Sequence, residues 1–176
     1  NRQHADEVTY VSIGDGATSE GEFWESLNTA CTQPVPVLYL VEDNGYAISV
    51  PVAVQTPGGD VSRLVESFPN LKVFRCDGTD YFDSHRTMNA AVQWIRRERK
   101  PALVHATVTR PYSHSLSDDE RLYKTPEERE AEAARDPIVR MRTHLLAQGL
   151  ATEAEIAEIA ADVDREIARA TDAAIA

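Results

Sequence analysis

Apolar positions along this chain follow two regimes. From Val8 to Val108, short runs of β-branched and aromatic residues alternate with stretches whose apolar residues recur every three to four positions; beyond Arg110 only the longer period remains. Four runs read as strands: Val8–Ile13, Val37–Val41, Lys72–Cys76 and Leu103–Val108, of which Lys72–Cys76 is the weakest. The first two are mostly apolar throughout, as in strands covered on both faces. Between them, Ser19-Glu20-Gly21-Glu22 predicts a capping box, then a helix with Phe23, Leu27 and Cys31 on one face. Asp60 is expected to cap a short helix carrying Val61, Leu64, Val65 and Phe68. A longer helix is expected from about Asp83 to Arg99, with Met88, Ala91, Val92 and Ile95 inward, ended by Lys100-Pro101. Strands alternating with helices imply βαβ units and a parallel sheet.

Residues 111–124 are polar, without a periodic apolar set, and read as a loop. Pro126 sits where a first helical residue belongs, Asp136-Pro137 opens a further helix that Gly149 closes, and Thr152–Glu155 fits another capping box. The last helix carries Ile156, Ile159, Val163 and Ile167 on one stripe. The expected fold class is α/β, a parallel sheet with flanking helices followed by a C-terminal helical tail. Its expected parts are an α/β segment over 1–110, a loop over 111–124, and a helical appendage or docking arm over 125–176.

At 176 residues the chain is long enough for one domain with a core of its own, and its 42% apolar content is ordinary for a globular protein. The formal net charge of −11 argues against nucleic-acid or anionic-membrane partners, which need a basic surface. Cys31 and Cys76 form no disulfide framework and read as buried thiols. No apolar run reaches the length of a membrane span and no signal peptide precedes the first strand, so a cytoplasmic location is the default expectation. Only a few polar residues precede an interior-looking strand, which implies a clipped chain or a piece of a longer one. The runs Arg96–Lys100 and Glu127–Glu132 read as solvated helix surface.

Candidate chemistry sits where the first two strands end. In a parallel sheet, ligands bind outside the carboxyl ends of the strands. Gly14-Asp15-Gly16-Ala17 follows the first strand and Glu42-Asp43-Asn44-Gly45-Tyr46 the second. A carboxylate and an amide oxygen meeting there suit Mg²⁺, a hard ion that shares its ligands with phosphate. The Gly16 and Ala17 amides, at the start of a helix, favour an anionic group. Gly-Asp-Gly alone reads equally as a tight turn, and Asn44-Gly45 as another; what favours a site is their recurrence at equivalent places on consecutive strands. Among the histidines, His4 lies in a polar terminus, His85 and His144 on helices, and His105 in the fourth strand as a satisfied core residue. His114 lies in the long loop, where functional groups concentrate.

Gly14-Asp15-Gly16 followed by Asn44 resembles the diphosphate–Mg²⁺ motif of thiamine diphosphate enzymes. The strings Gly14 to Glu22 and Glu42 to Ser49, with His114-Ser115-Leu116-Ser117-Asp118-Asp119 and Asp136-Pro137-Ile138, resemble the second half of the α subunit of 2-oxo acid dehydrogenase E1 components, those for pyruvate, branched-chain 2-oxo acids and acetoin. The resemblance implies a partial thiamine diphosphate-binding fold. It implies that Asp15, the Asn44 side-chain oxygen and the Tyr46 carbonyl bind Mg²⁺, and that Gly14, Gly16 and Ala17 line the diphosphate, with the Gly16 and Ala17 amides donating to it. The Tyr46 side chain need not touch the metal. His114 is implied to lie over the cofactor, stabilising charge on the diphosphate or in the reacting adduct. Ser115 and Ser117 match loop serines that are phosphorylated in mitochondrial relatives; here they read as plain loop serines.

The implied partners are an E1 β subunit or fused β half, which supplies the glutamate that activates the cofactor, the lipoyl domain of E2, and a small 2-oxo acid. The Ser117-Asp118-Asp119 and Asp136-Pro137-Ile138 segments lean toward a branched-chain substrate. One departure stands out. The family has Asn-Asn where this chain has Asp43-Asn44, so Asp43 adds negative charge that Mg²⁺ or a nearby arginine must offset. Two other expectations remain open: a transketolase-like thiamine diphosphate enzyme, which predicts no His114 loop, and a non-catalytic assembly lobe.

Overall fold

The computed structural model describes residues 6–175; His4 lies outside them. Six strands are formed among these residues: β1 (Thr9–Gly14), β2 (Val37–Asp43), β3 (Tyr46–Ala47), β4 (Val50–Pro51), β5 (Lys72–Asp77) and β6 (Ala102–Thr107). β1, β2, β5 and β6 make a four-stranded sheet in the order β1-β2-β6-β5, every pairing parallel. β3 and β4 form a separate antiparallel hairpin. The chain is thus α/β, with a parallel sheet, flanking helices and helices at its C-terminal end. The described residues fall into two compact units, one ending at Asp136 and the other beginning at Pro137.

The helices are α1 (Gly21–Thr32), α2 (Val52–Gln55), α3 (Val61–Leu64), α4 (Tyr81–Glu98), α5 (Pro126–Ala133), α6 (Pro137–Ala147) and α7 (Glu153–Ile175). α1 and α3 cover one face of the sheet. There Phe23, Leu27, Ala30 and Cys31 pack with Val61 and Val65 against Val37, Tyr39, Val41 and Leu103. α4 covers the other face, with Ala91 and Ile95 against Leu38, Cys76, Ala102, Val104 and Ala106. β2 and β6 contribute to both clusters, which is why their sequences are almost unbroken apolar runs. β1 reads as interior but stands at an edge. Val11 and Ile13 are only half-buried and line a cleft of about 640 Å³ with Phe23 and Tyr39. Both cysteines are buried free thiols, and burial pushes each up from the ordinary thiol range.

Several local expectations hold. Asp60 caps α3 by accepting from the Ser62 amide. α4 begins at Tyr81, two residues before the expected Asp83, because Asp80 caps it by accepting from the Asp83 amide. α4 stops where Arg99 turns left-handed, at φ 53°, just before Lys100-Pro101. Thr125 and Glu128 form a reciprocal capping box at α5, and Thr152 and Glu155 at α7. The Ser19–Glu22 box does not form. Residues Gly16–Ser19 are instead a 3₁₀ turn, α1 is capped by Glu20 without a side-chain bond, and Ser19 Oγ accepts from Gln55 Nε2 at 2.8 Å. The Gly-Asp-Gly turn needs those residues for itself, and this shifts the helix start one residue downstream, with Glu20 rather than Ser19 at the cap.

The second unit is α6 and α7. Gly149 closes α6 with φ +63°, and Arg142 pairs with Glu153 across the turn. Within it Ile159, Val163 and Ile167 remain exposed. No described helix is long and apolar enough to cross a membrane.

Leu27 is fully buried between α1 and the sheet, whereas Ile159 is 61% exposed. In urea denaturation, Leu27→Ala should lose about 2–5 kcal/mol, and Ile159→Ala should stay within about 0.5 kcal/mol of the parent.

Candidate functional site

Strand register brings the two glycine-containing loops together. Gly14, the last residue of β1, pairs with Glu42, and Asp43, the last of β2, pairs with Thr107 at the end of β6. Asp15 and Asn44 therefore leave neighbouring strands at the same edge of the sheet. Asp15 is only 2% exposed, and its Oδ2 has no hydrogen-bond partner. Burial raises the Asp15 carboxyl from its ordinary value and the Asp43 charge raises it further, while the amides of Asp15, Asn44 and Gly16 pull it back.

The first loop is pinned from several sides. Thr18 Oγ1 donates to the Asp15 carbonyl at 2.6 Å, and Gln55 Nε2 from α2 donates to the same carbonyl at 2.7 Å. A Cβ on Gly16 would stand 2.9 Å from the Ala47 Cβ, so the 3₁₀ turn and the β3–β4 hairpin meet only because residue 16 is glycine. Gly14 and Ala17 are exposed at either end of the buried Asp15.

The second loop is two interlocked turns. Asp43 Oδ1 accepts from the Gly45 amide at 2.8 Å, and Asn44 Oδ1 accepts from the Tyr46 amide at 3.1 Å. Gly45 has φ +83°, which suits glycine. The Asn44 amide oxygen has a second lone pair for a ligand. The Tyr46 ring packs 5.7 Å from the Tyr123 ring and under Lys124 Nζ, and its hydroxyl donates to Glu128. Burial and then Glu128 raise the Tyr46 phenol.

His114 is placed differently. Its imidazole is exposed, and its backbone amide donates to Asp118 Oδ2 at 2.8 Å. That oxygen also accepts from the Tyr123 hydroxyl at 2.6 Å, which holds the Asp118 carboxyl below its usual range. Arg110 completes the tether, with Nη2 donating to the Tyr123 hydroxyl at 2.6 Å and Nη1 to the Ile48 carbonyl at 3.0 Å. The structure thus ties the His114 backbone, not its imidazole, to the hairpin that begins at Tyr46. Ser115 and Ser117 bond to each other at 3.1 Å.

Sequence reasoning missed Arg110, Asp118 and Tyr123 as loop anchors, Gln55 as the clamp on the Asp15 turn, and Lys124. Lys124 is 3% exposed and pairs with Glu132 at 2.5 Å, so Glu132 is not merely solvated surface. The only signal for these was polar residues packed tightly around a loop. Among the described residues no arginine is paired with Asp43; its Oδ2 lies 2.8 Å from His105 Nε2. His105 is the satisfied core histidine expected.

These residues fit a hard cation. A buried carboxylate oxygen without a partner stands beside an amide-oxygen loop, and every candidate donor is oxygen. Among the described residues no three His, Cys, Asp or Glu side chains converge to hold a metal by themselves. The proposed set of one carboxylate, one amide and one main-chain carbonyl is not a cluster of that kind.

The family described as dehydrogenase E1 component matches residues 1–176. The chain is 33% identical over 152 residues to a pyruvate dehydrogenase E1 component subunit alpha of Rickettsia felis, covering 86% of this chain and 46% of that protein. It is 36% identical over 149 residues to the 3-methyl-2-oxobutanoate dehydrogenase subunit alpha of Mycobacterium tuberculosis, covering 85% and 40% respectively. A mitochondrial pyruvate dehydrogenase E1 alpha subunit of Ascaris suum is 32% identical over 169 residues, 96% of this chain and 41% of that one. The chain spans less than half the length of these relatives. A match from first residue to last, on an α/β sheet whose first two loops meet at one edge, identifies the chain as a member of the dehydrogenase E1 component family.

Proposed function

We propose that this chain is the metal–diphosphate half of a thiamine diphosphate-dependent E1 α subunit acting on a 2-oxo acid. The observation that carries the reading is the buried, unpartnered Asp15 Oδ2 beside the Asn44 turn. Asp15, the Asn44 side-chain oxygen and the Tyr46 carbonyl would hold Mg²⁺; Gly14, Gly16 and Ala17 would line the diphosphate. When bound, thiamine diphosphate supplies a nucleophilic carbon and an electron sink for decarboxylation of the 2-oxo acid. The protein's part is to hold the anionic end of the cofactor. Asp15 would have its charge offset by the cation, and the glycine turn would let main-chain amides approach the anionic diphosphate. Arg110, Tyr123 and Asp118 hold the His114 loop against the hairpin, so that the imidazole can donate to developing negative charge.

The proposed partners are an E1 β subunit or fused β half, which contributes the activating glutamate, and the lipoyl domain of E2 as acyl acceptor. Relatives bearing both pyruvate and 3-methyl-2-oxobutanoate names match this chain, and the branched-chain lean rests on Ser117-Asp118-Asp119 and Asp136-Pro137-Ile138. The assembly is proposed to be a cytoplasmic heterotetramer. A transketolase-like enzyme is not favoured, given a family match that includes the His114 loop.

Calorimetry tests the cofactor role. Thiamine diphosphate should bind this chain weakly and only with Mg²⁺, and Asp15→Ala should abolish the Mg²⁺-dependent part; binding that ignores Asp15, or none, favours an assembly lobe. The raised Asp15 carboxyl has a stability consequence. The folded state holds this proton more tightly than the unfolded one, so stability falls as pH rises from about 3.9 through the folded value and stays lowered at neutral pH. Asp15→Asn should therefore raise the thermal midpoint of the cofactor-free chain at pH 7, a gain that shrinks on acidification, as melting curves at several pH values would show. In the assembled enzyme, His114→Ala should lower kcat by about 100-fold or more while cofactor affinity changes little, as steady-state kinetics and titration would show. The chain without its β partner should release no CO₂ from a 2-oxo acid supplied with Mg²⁺ and thiamine diphosphate.

A further inference from the structure

A chain of buried polar groups runs under the Asn44 turn. Asp43 is 8% exposed and His105 equally so. They lie on adjacent parallel strands: Val41 pairs with His105 and Asp43 with Thr107, which makes Asp43 and His105 diagonal neighbours on one face. Asp43 Oδ2 is 2.8 Å from His105 Nε2, and His105 Nδ1 is 3.2 Å from Asp60 Oδ1. Asp60 in turn accepts from the Ser62 amide at 2.9 Å and hydroxyl at 2.5 Å, and Ser62 Oγ accepts from Arg75 Nε at 2.7 Å. Arg75 also pairs with Glu66, so the chain reaches the surface beyond α3.

Both oxygens of Asp43 are therefore committed. One closes the turn on the Gly45 amide; the other rests on His105. A buried carboxylate that loses one of its two partners is left with an uncompensated oxygen, which is costly enough to reorient the group. Reorientation would release Gly45, and with it the turn that presents Asn44 and the Tyr46 carbonyl.

The geometry points to His105 as a positioning residue: through its Nε2 it holds Asp43, and Asp43 holds the Asn44-Gly45-Tyr46 turn in the shape that binds the Mg²⁺–diphosphate. The inference rests on the cofactor reading above for its ligand, but not for the ordering of the turn. It also accounts for the Asp43 departure. An aspartate is tolerated next to Asn44 because a histidine, not an arginine, meets it from β6. His105 contacts Asp43 and Asp60 and is not among the proposed cation or diphosphate ligands, so its effect on the turn passes through Asp43. Groups that hold a metal ligand in place in this indirect way commonly set affinity by about 10–100-fold.

Two variants separate positioning from plain structural support. His105→Gln can keep a donor where Nε2 stands, toward Asp43; His105→Asn can keep one where Nδ1 stands, toward Asp60. In the protein carrying this sequence, without ligand, hydrogen exchange of the Gly45 amide should stay within about threefold of the parent in His105→Gln and speed up about tenfold or more in His105→Asn. Both should lower the thermal midpoint similarly. With thiamine diphosphate and Mg²⁺, the dissociation constant should rise about 10–100-fold in His105→Asn only. Equal exchange at Gly45 in all three proteins, or equal acceleration in both variants, overturns the inference. If exchange follows the expected order but the parent shows no Mg²⁺-dependent affinity, the ordering of the turn by His105 stands and the cofactor reading falls.

Discussion

Parallel pairing of β1, β2 and β6 in one register is the constraint on which the rest of this structure depends. It sets the ends of three strands level, at Gly14, Asp43 and Thr107. Every candidate group then has to emerge at that edge: Asp15 after β1, Asn44 after β2, Arg110 and the His114 loop after β6. The sheet is rigid because α1 and α3 seal one face and α4 the other, and buried apolar contact on both sides leaves β2 and β6 little freedom to slip. A one-residue slip of β2 would turn Val37, Tyr39 and Val41 into the wrong cluster and move Asn44 away from Asp15.

That rigidity makes an expensive site possible. Asp15 is buried with an unsatisfied oxygen and with Asp43 close enough to raise its carboxyl, an arrangement that opposes folding. It persists because the turn around it is over-determined: Thr18, Gln55 and the glycine contact with Ala47 all hold the backbone. The structural cost of keeping Asp15 in place is what a bound cation would relieve.

The acidic residues around the edge are not equivalent. Asp43 and Asp60 flank His105 and serve as hydrogen-bond acceptors inside the fold. Asp118 gathers the His114 amide and the Tyr123 hydroxyl and orders the loop. Asp119 is held at about 2 by Arg121 on the surface. Among the described residues two buried carboxylate oxygens lack a hydrogen-bond partner, Asp15 Oδ2 and Glu120 Oε2, and Glu120 has Lys124 Nζ 3.5 Å away to offset its charge. The net charge of the chain therefore says little about the site, whereas the distribution of partners says a great deal.

The sequence by itself determined the strands, the parallel α/β class, the helix caps at Asp60, Thr125 and Thr152, and the pairing of a Gly-Asp-Gly loop with an Asn-Gly loop. These follow from local rules: apolar period, capping chemistry and turn residues act over a few positions. It misplaced the start of α1 because a capping box and a 3₁₀ turn compete for the same residues, and only the packing of Gly16 on Ala47 decides between them. It gave no sign of the β3–β4 hairpin, whose two-residue strands carry no periodicity. It read Asp43 as a charge that Mg²⁺ or a nearby arginine must offset. The tertiary structure adds a partner the sequence did not suggest, setting His105 diagonally across from it on a strand more than sixty residues away. The Arg110–Tyr123–Asp118 tether and the burial of Lys124 were likewise invisible. Contacts of that kind depend on which polar side chains the closed fold forces together, and no local pattern encodes them.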